Sequence, residues 1–196
     1  AVLALSKGAA IASCWLNTGE GGLSEWHLKG GCDIIFQIGT ANYGVRDNNG
    51  HFSEEKLRTV AVNDSVKMIE LKLSQGAKPG KGGILPAAKV TEEIAKIRLI
   101  PVGETSNSPN RHIDIKNDVE LLDKINRIRR ITGKPVGFKT VIGDGAWLDE
   151  LFTTINRKGE ECAPDFISID SGDGGTGAAP LTLIDDMGLD IQETLP

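Results

Sequence analysis

The sequence LKLSQGAKPGKGGILP, residues 71–86, follows a run of strand-forming residues that begins at Val66. Its four glycines and Pro79 can neither continue a strand nor build a helix, so the chain turns here and its backbone can approach a ligand closely. Gln75, Lys78 and Lys81 add amide and ammonium donors, which suit a carboxylate or a phosphate. Taken alone, the stretch is equally compatible with a solvated surface loop, because lysines are usually exposed.

The composition indicates an ordinary globular domain. The chain has 196 residues, of which 39% are hydrophobic and 25% charged, values typical of a folded domain. A net charge of −5 argues against a general nucleic-acid-binding protein, which usually carries a basic face. Glycine accounts for 24 residues, well above the usual ~7%. Because these glycines cluster after apolar runs, we expect loops that approach a ligand.

The three cysteines, Cys14, Cys32 and Cys162, are odd in number and widely spaced. They form neither a disulfide framework nor a CxxC pair, and the three histidines are far apart in the sequence, so no metal site is predicted. Thiols of this kind suggest a reducing compartment, and no segment has the ~20 apolar residues of a membrane span. The sequence therefore predicts a cytoplasmic location, with a membrane anchor upstream of this stretch left open.

Strand, glycine-rich loop and helix alternate along the chain, which predicts an α/β fold. Runs of Ile, Val and Phe with little alternation are typical of parallel strands covered on both faces. We predict strands near residues 12–16, 32–38, 66–73, 135–141 and 165–170, and helices near 1–10, 54–63, 91–98, 117–132 and 146–158, with one helical turn within 24–29 and irregular structure over 101–111. Polar and glycine-rich segments follow the strand ends, where parallel α/β folds place their sites. A complete (β/α)8 barrel has eight strands in ~250 residues, so five strands predict an internal part of one such domain.

Charged residues near the strand ends are candidate functional groups. Glu20 lies in NTGEGG, residues 17–22, where it could meet a ligand amine, although an ordinary turn glutamate is an equally simple interpretation. Glu70 and Lys72 are two residues apart and therefore lie on one face of their strand, which in a barrel is the interior. Lys139 interrupts an apolar strand and requires an anion or acceptor if that strand is buried; the alternative is an edge strand with Lys139 in solvent.

The segment SGDGGTGAAP, residues 171–180, follows the last predicted strand. Its glycines and Thr176 could aim backbone N–H groups at a negatively charged group. The spacing differs from that of a nucleotide P-loop. A plain turn between a strand and a helix needs fewer glycines, which favours a binding role.

Four segments, NTGEGG, ELKLSQGAKPGKGGILPAAKV, SPNRHIDI and DGGTGAAP, resemble the FMN-binding synthase domain of the glutamate synthase family. They follow the order and approximate spacing of that family, and the similarity to its shorter stand-alone members extends from about Leu5 to the end of the chain. The resemblance implies a (β/α)8 TIM barrel that binds FMN at the mouth formed by the carboxyl ends of the strands. This chain would cover about strands two to six, and residues 1–196 would form part of one barrel domain.

The resemblance also implies a reaction. Ammonia, free or derived from glutamine, condenses with 2-oxoglutarate, and hydride from reduced FMN converts the resulting 2-iminoglutarate to glutamate. The electron donor, ferredoxin or NAD(P)H-linked, is left open. An iron–sulfur cluster is allowed in the full-length protein, but the cysteines of this chain do not match its ligands. The implied roles are catalysis for Glu20 and Lys78, substrate binding for Gln75, Lys78 and Gln37, and cofactor binding for Lys139, Gln75, Asp173, Gly174, Gly175 and Thr176.

The chain departs from the family pattern at TANYGV, residues 40–45, where the family commonly has SGRFGV. An arginine that could hold a carboxylate is replaced by Asn42, and Arg46 is a candidate to compensate. Two alternatives therefore stay open: a related flavoenzyme with another amine or carboxylate substrate, and a non-catalytic subunit that binds FMN or a phosphate. Open sheet edges in a five-stranded part would favour pairing between copies, which predicts a homo-oligomer.

Overall fold

The computed structural model of the chain describes residues 1–76, 78, 80–173, 179–184 and 186–196. Within these residues, strands and helices alternate as the sequence predicts. The strands are β1 (Trp15–Asn17), β2 (Asp33–Ile38), β3 (Val66–Lys72), β4 (Ile84–Leu85), β5 (Ser106–Asn107), β6 (Val136–Val141) and β7 (Ile167–Asp170). The helices are α1 (Val2–Ile11), α2 (Glu25–Leu28), α3 (Glu54–Ala61), α4 (Glu92–Arg98), α5 (Asp118–Thr132), α6 (Ala146–Lys158) and α7 (Ile191–Thr194), with 3-10 turns at Ala87–Lys89 and Glu160–Cys162.

Five strands form one parallel sheet in the order β1-β2-β3-β6-β7. Gln37 on β2 is in register with Glu70 on β3, and Lys72 at the end of β3 is in register with Lys139 on β6. The sheet curls into a half-barrel, so both of its outer strands reach the side chain of the central Glu70. The predicted α/β fold, an incomplete (β/α)8 barrel with five strands, is thereby confirmed.

The hydrophobic core lies between the convex face of the sheet and the helices. Phe36, Leu71 and Phe138 alternate with inward-facing polar residues and are fully buried together with one face of α5. That helix begins where the Asn117 side chain accepts a hydrogen bond from the Glu120 amide and ends at Gly133 with φ 66°, since a glycine adopts the left-handed conformation readily. Among the described residues, no helix is long and apolar enough to cross a membrane.

The main difference from the sequence prediction is an insertion between β3 and α5. Residues 101–111 were predicted to be irregular, but β5 lies within them and pairs antiparallel with β4, Ile84 with Asn107 and Leu85 with Ser106. Each of these strands has two residues, too few for an alternating pattern to appear. The first strand also begins later than predicted, at Trp15, because the chain turns at Ser13 with φ 53°.

The concave face of the half-barrel carries a buried polar group, which we call the interior cluster: Asn17, Gln37, Glu70 and Ser168. Glu70 is 1% exposed. Its Oε1 atom accepts hydrogen bonds from Asn17 Nδ2 at 2.8 Å and Gln37 Nε2 at 2.6 Å, and its Oε2 atom accepts one from Ser168 Oγ at 2.5 Å. Side chains from four strands thus meet at this carboxylate, which accepts three hydrogen bonds, as a buried charged group requires.

Candidate active site at the mouth of the half-barrel

Glu20, Lys72 and Gln75 form a hydrogen-bonded group at the carboxyl ends of β1 and β3, which we call the mouth cluster. Gln75 Nε2 donates to both carboxylate oxygens of Glu20, at 3.1 and 2.9 Å. Lys72 Nζ lies 3.0 Å from Gln75 Oε1 and 3.3 Å from Glu20 Oε2. Because each end of the Gln75 amide has a fixed partner, the orientation of this side chain is determined by the cluster.

Two glycines allow the loops to pack closely around this cluster. A Cβ atom at Gly39, just after β2, would lie 2.7 Å from the Glu20 Cβ atom. A Cβ atom at Gly76 would lie 2.3 Å from Asp170 Oδ2 at the end of β7. Neither position has room for a side chain, so these glycines let the loops approach Glu20 and Asp170 closely. The close approach to a ligand stays a prediction.

A cavity of about 650 Å³ opens beside the mouth cluster. Its lining residues include Glu20 and Gln75 from the cluster and the basic side chains Lys78, Lys89 and Arg98. Lys78 is 5% exposed, whereas Lys89 is exposed to solvent. Three cations against one carboxylate make this cavity suitable for a ligand with more than one negative charge.

Arg98 is a cavity residue that sequence reasoning missed. It lies in the last turn of α4, and its Nη1 atom donates to Ser106 Oγ at 3.3 Å. Arg46 instead lines a separate cavity of about 270 Å³, and its Nη1 atom donates to the Ala41 carbonyl at 3.3 Å. The guanidinium at the mouth cavity therefore belongs to Arg98, which the insertion between β3 and α5 brings to the site.

Lys139 lies on the concave face of β6, close to β7. Its Nζ atom is 3.1 Å from Asp170 Oδ2, and the two side chains are 28% and 32% exposed. Since β6 lies between β3 and β7, the edge-strand alternative for Lys139 does not apply. The lysine and the aspartate together provide a cation and an acceptor next to Gly76.

Other predicted site residues lie elsewhere or outside the described part. Gln37 is 5% exposed and belongs to the interior cluster, below the mouth cavity, where it donates to Glu70. Asp173 is exposed, and its Oδ2 atom accepts a hydrogen bond from Ser171 Oγ at 2.6 Å. The predicted cofactor-binding residues Gly174, Gly175 and Thr176 lie outside the described residues.

The segment SPNRHIDI, residues 108–115, braces the end of β3 and the glycine-rich loop. The Ser108 amide donates to the Gly83 carbonyl at 2.8 Å, and Thr40 Oγ1 donates to the Pro109 carbonyl at 2.7 Å. His112 is 2% exposed, with Nε2 3.0 Å from the Lys72 carbonyl oxygen. These contacts fix the backbone from which Lys72 and Gln75 reach the cluster.

Burial, together with the nearby Lys124 ammonium, lowers the pKa of His112 from 6.5 to about 4. Lys124 is itself paired with both carboxylate oxygens of Asp114 at 2.8 Å. At neutral pH the imidazole is uncharged, so Nε2–H donates to the Lys72 carbonyl.

This pKa predicts an acid-sensitive stability. Above pH 6.5 the histidine is neutral in both the folded and unfolded states; below it the unfolded chain takes up a proton that the folded chain excludes until about pH 4. The free energy of unfolding should therefore fall by roughly 3 kcal/mol across this window. Urea unfolding of the full-length protein at a series of pH values measures it, and His112→Gln should flatten the dependence by that amount. If the free energy of unfolding of the variant depended on pH as in the wild type, other titratable groups would be responsible for the dependence.

A parallel half-barrel with a charged cavity at the carboxyl ends of its strands defines the class: a domain of the (β/α)8 type with its site in the usual place. A family model described as the conserved region in glutamate synthase matches residues 1–196. The chain belongs to the glutamate synthase family, as the resemblance in its motifs predicted.

Three relatives illustrate the similarity. The chain is 50% identical over 197 residues to the glutamate synthase large subunit-like protein YerD of Bacillus subtilis, covering 100% of this chain and 37% of that protein. It is 35% identical over 194 residues to an archaeal-type glutamate synthase [NADPH] of Thermotoga sp. (98% of this chain, 34% of that protein). It is 34% identical over 192 residues to the archaeal glutamate synthase [NADPH] of Methanocaldococcus jannaschii (96% and 34%). The chain thus spans about a third of the length of these relatives.

Proposed function

We propose that this chain forms part of the synthase site of an FMN-dependent, glutamate synthase-like oxidoreductase that converts 2-oxoglutarate to glutamate through 2-iminoglutarate. The observation that carries the proposal is the mouth cavity, which three cationic side chains line together with the Gln75 amide and the Glu20 carboxylate. The names of the relatives support the same reaction class.

2-Oxoglutarate has two carboxylates, and the cavity offers separate groups for them. Lys78 is the buried cation and lies next to Gln75 in the glycine-rich loop, whereas Arg98 reaches the cavity from α4. Charge-assisted hydrogen bonds from these groups would hold the dianion and orient its keto carbon. The planar guanidinium of Arg98 is suited to two-point recognition of a carboxylate.

Glu20 is the acid–base group of the proposal. Addition of ammonia to the keto carbon forms a carbinolamine, which becomes the imine when its hydroxyl leaves as water. That step needs a proton at the leaving oxygen, and another proton must be removed from nitrogen. Glu20 is 23% exposed and lines the cavity, with the Lys72 ammonium 3.3 Å away, so its carboxylate is within reach of a ligand bound there.

The residues around Lys139 fit a flavin. A cation and an acceptor lie beside Gly76, whose lack of a side chain leaves the loop backbone close to the strand ends. Lys139 and Gln75, together with Asp173, Gly174, Gly175 and Thr176, would hold FMN, which when reduced supplies hydride to the imine carbon. A lysine near the flavin ring favours its reduced, anionic form.

The cofactor is tested by the visible absorption spectrum of the full-length protein, with the released cofactor identified by mass. We expect FMN. The prereduced protein should then be reoxidised by 2-oxoglutarate with ammonium under anaerobic conditions. A colourless protein that refuses added FMN would favour the non-catalytic subunit, and bound FMN without reoxidation would favour another substrate. Since two relatives carry NADPH in their names, a nicotinamide-linked electron donor is the first to test, with ferredoxin as the alternative.

A further inference from the structure

We infer that Tyr43 is a positioning residue that fixes the guanidinium of Arg98 for a substrate carboxylate, acting through Ser106. The inference rests on the proposed function, because Arg98 has to meet the substrate for its orientation to matter. It goes beyond that function by naming a residue outside the cavity that would determine affinity for the anion.

Tyr43 contacts Arg98 in two ways. The Arg98 guanidinium carbon lies 4.7 Å from the centroid of the Tyr43 ring, within the range of a cation–π interaction. The Tyr43 hydroxyl shares a short hydrogen bond with Ser106 Oγ, the same atom that accepts from Arg98 Nη1. Tyr43 is 2% exposed and Ser106 is 6% exposed. The surrounding protein therefore shields these contacts from water, and the low local dielectric strengthens them.

Arg98 needs support from neighbouring side chains because it lies at the end of a helix. It is the last residue of α4, and Leu99 leaves the helix with φ 58°. A long arginine side chain at a helix end samples many rotamers, and binding would otherwise have to remove this conformational entropy. Holding the guanidinium in place before the substrate arrives reduces that loss.

The segment that carries Tyr43, residues 40–46, directs its own polar side chains away from the mouth cavity. Asn42 Nδ2 donates to the Gly50 carbonyl at 3.3 Å, and Arg46 lines a different cavity. Arg98 is the guanidinium that lines the mouth cavity. The segment therefore contributes to this cavity indirectly, through the hydrogen bond of the Tyr43 hydroxyl to Ser106.

The test is Tyr43→Phe in the full-length, FMN-loaded protein. Removing the hydroxyl while keeping the ring should raise both the Kd and the KM for 2-oxoglutarate about 3- to 10-fold, the effect of one hydrogen bond. The kcat and the flavin spectrum should stay as in the wild type. Calorimetric titration gives Kd independently of turnover. Thr154→Val, which removes a buried hydroxyl from α6, is the matched control and should change none of these values.

A double-mutant cycle separates positioning from general structural support. In an Arg98→Lys background, Tyr43→Phe should have little further effect on Kd, because the planar guanidinium that Tyr43 orients is no longer present. A Kd unchanged in Tyr43→Phe, or raised equally in both backgrounds, would overturn the inference while leaving the proposed function intact. A wild-type protein that does not bind 2-oxoglutarate would instead overturn the proposed function, and the inference with it.

Discussion

Replacing Lys78 by alanine is expected to weaken the binding of 2-oxoglutarate by about 10- to 150-fold, the range for losing a hydrogen bond to a charged group. Lys78 is 5% exposed and lines the mouth cavity beside Glu20 and Gln75. At a buried position solvent screens an ammonium–carboxylate contact only a little. The loss of this contact should therefore weaken substrate binding by its full contribution. Calorimetric titration of the full-length protein with 2-oxoglutarate measures it.

Lys89→Ala is the matched control, since the same cavity includes this lysine but solvent surrounds it. Exposed ion pairs contribute about 0–1 kcal/mol, so the expected change is less than about 6-fold. Similar losses in the two variants would indicate a general positive potential rather than a specific contact. An affinity unchanged in Lys78→Ala would remove this lysine from the proposed substrate site.

The glycine-rich loop and the strands were predictable because local chemistry determines them. Unbroken apolar runs indicated five covered parallel strands, and all five are present in one sheet. Glu20 and Gln75 are far apart in the sequence, yet each follows a strand, and the carboxyl ends of the parallel strands of one sheet lie at the same edge. Their hydrogen bond therefore follows from topology that the sequence pattern already contains.

Arg98 and Tyr43 could not be placed in the same way. Arg98 comes to the mouth because β4, β5 and α4 fold back over the strand ends, and an antiparallel pair of two-residue strands leaves no periodic signal. Gln37 illustrates a different difficulty. It lies near the end of a strand, as a mouth residue would, but its register with Glu70 places it one layer deeper. The sequence of either strand alone does not specify the register between the two strands.

Replacing Glu70 by leucine should destabilise the protein by about 3–5 kcal/mol, the cost of breaking a buried polar network from one side. The leucine would leave Asn17, Gln37 and Ser168 without their shared acceptor. The loss is a large share of the 5–15 kcal/mol by which a domain is usually stable. Urea unfolding followed by far-UV circular dichroism measures it as a lower midpoint at unchanged slope.

Glu70→Gln distinguishes lost hydrogen bonds from lost charge. The amide oxygen of glutamine can still accept from Asn17 and Gln37, and its nitrogen can donate to Ser168 Oγ, so about 1–2 kcal/mol of destabilisation is expected. A leucine variant as stable as the glutamine variant would mean that the interior cluster does not hold the strands together. The result also bears on the mouth. Glu70 precedes Lys72 by two residues on the same face of β3, so a strand that shifts when the interior cluster is broken carries the Lys72 contacts to Glu20 and Gln75 with it.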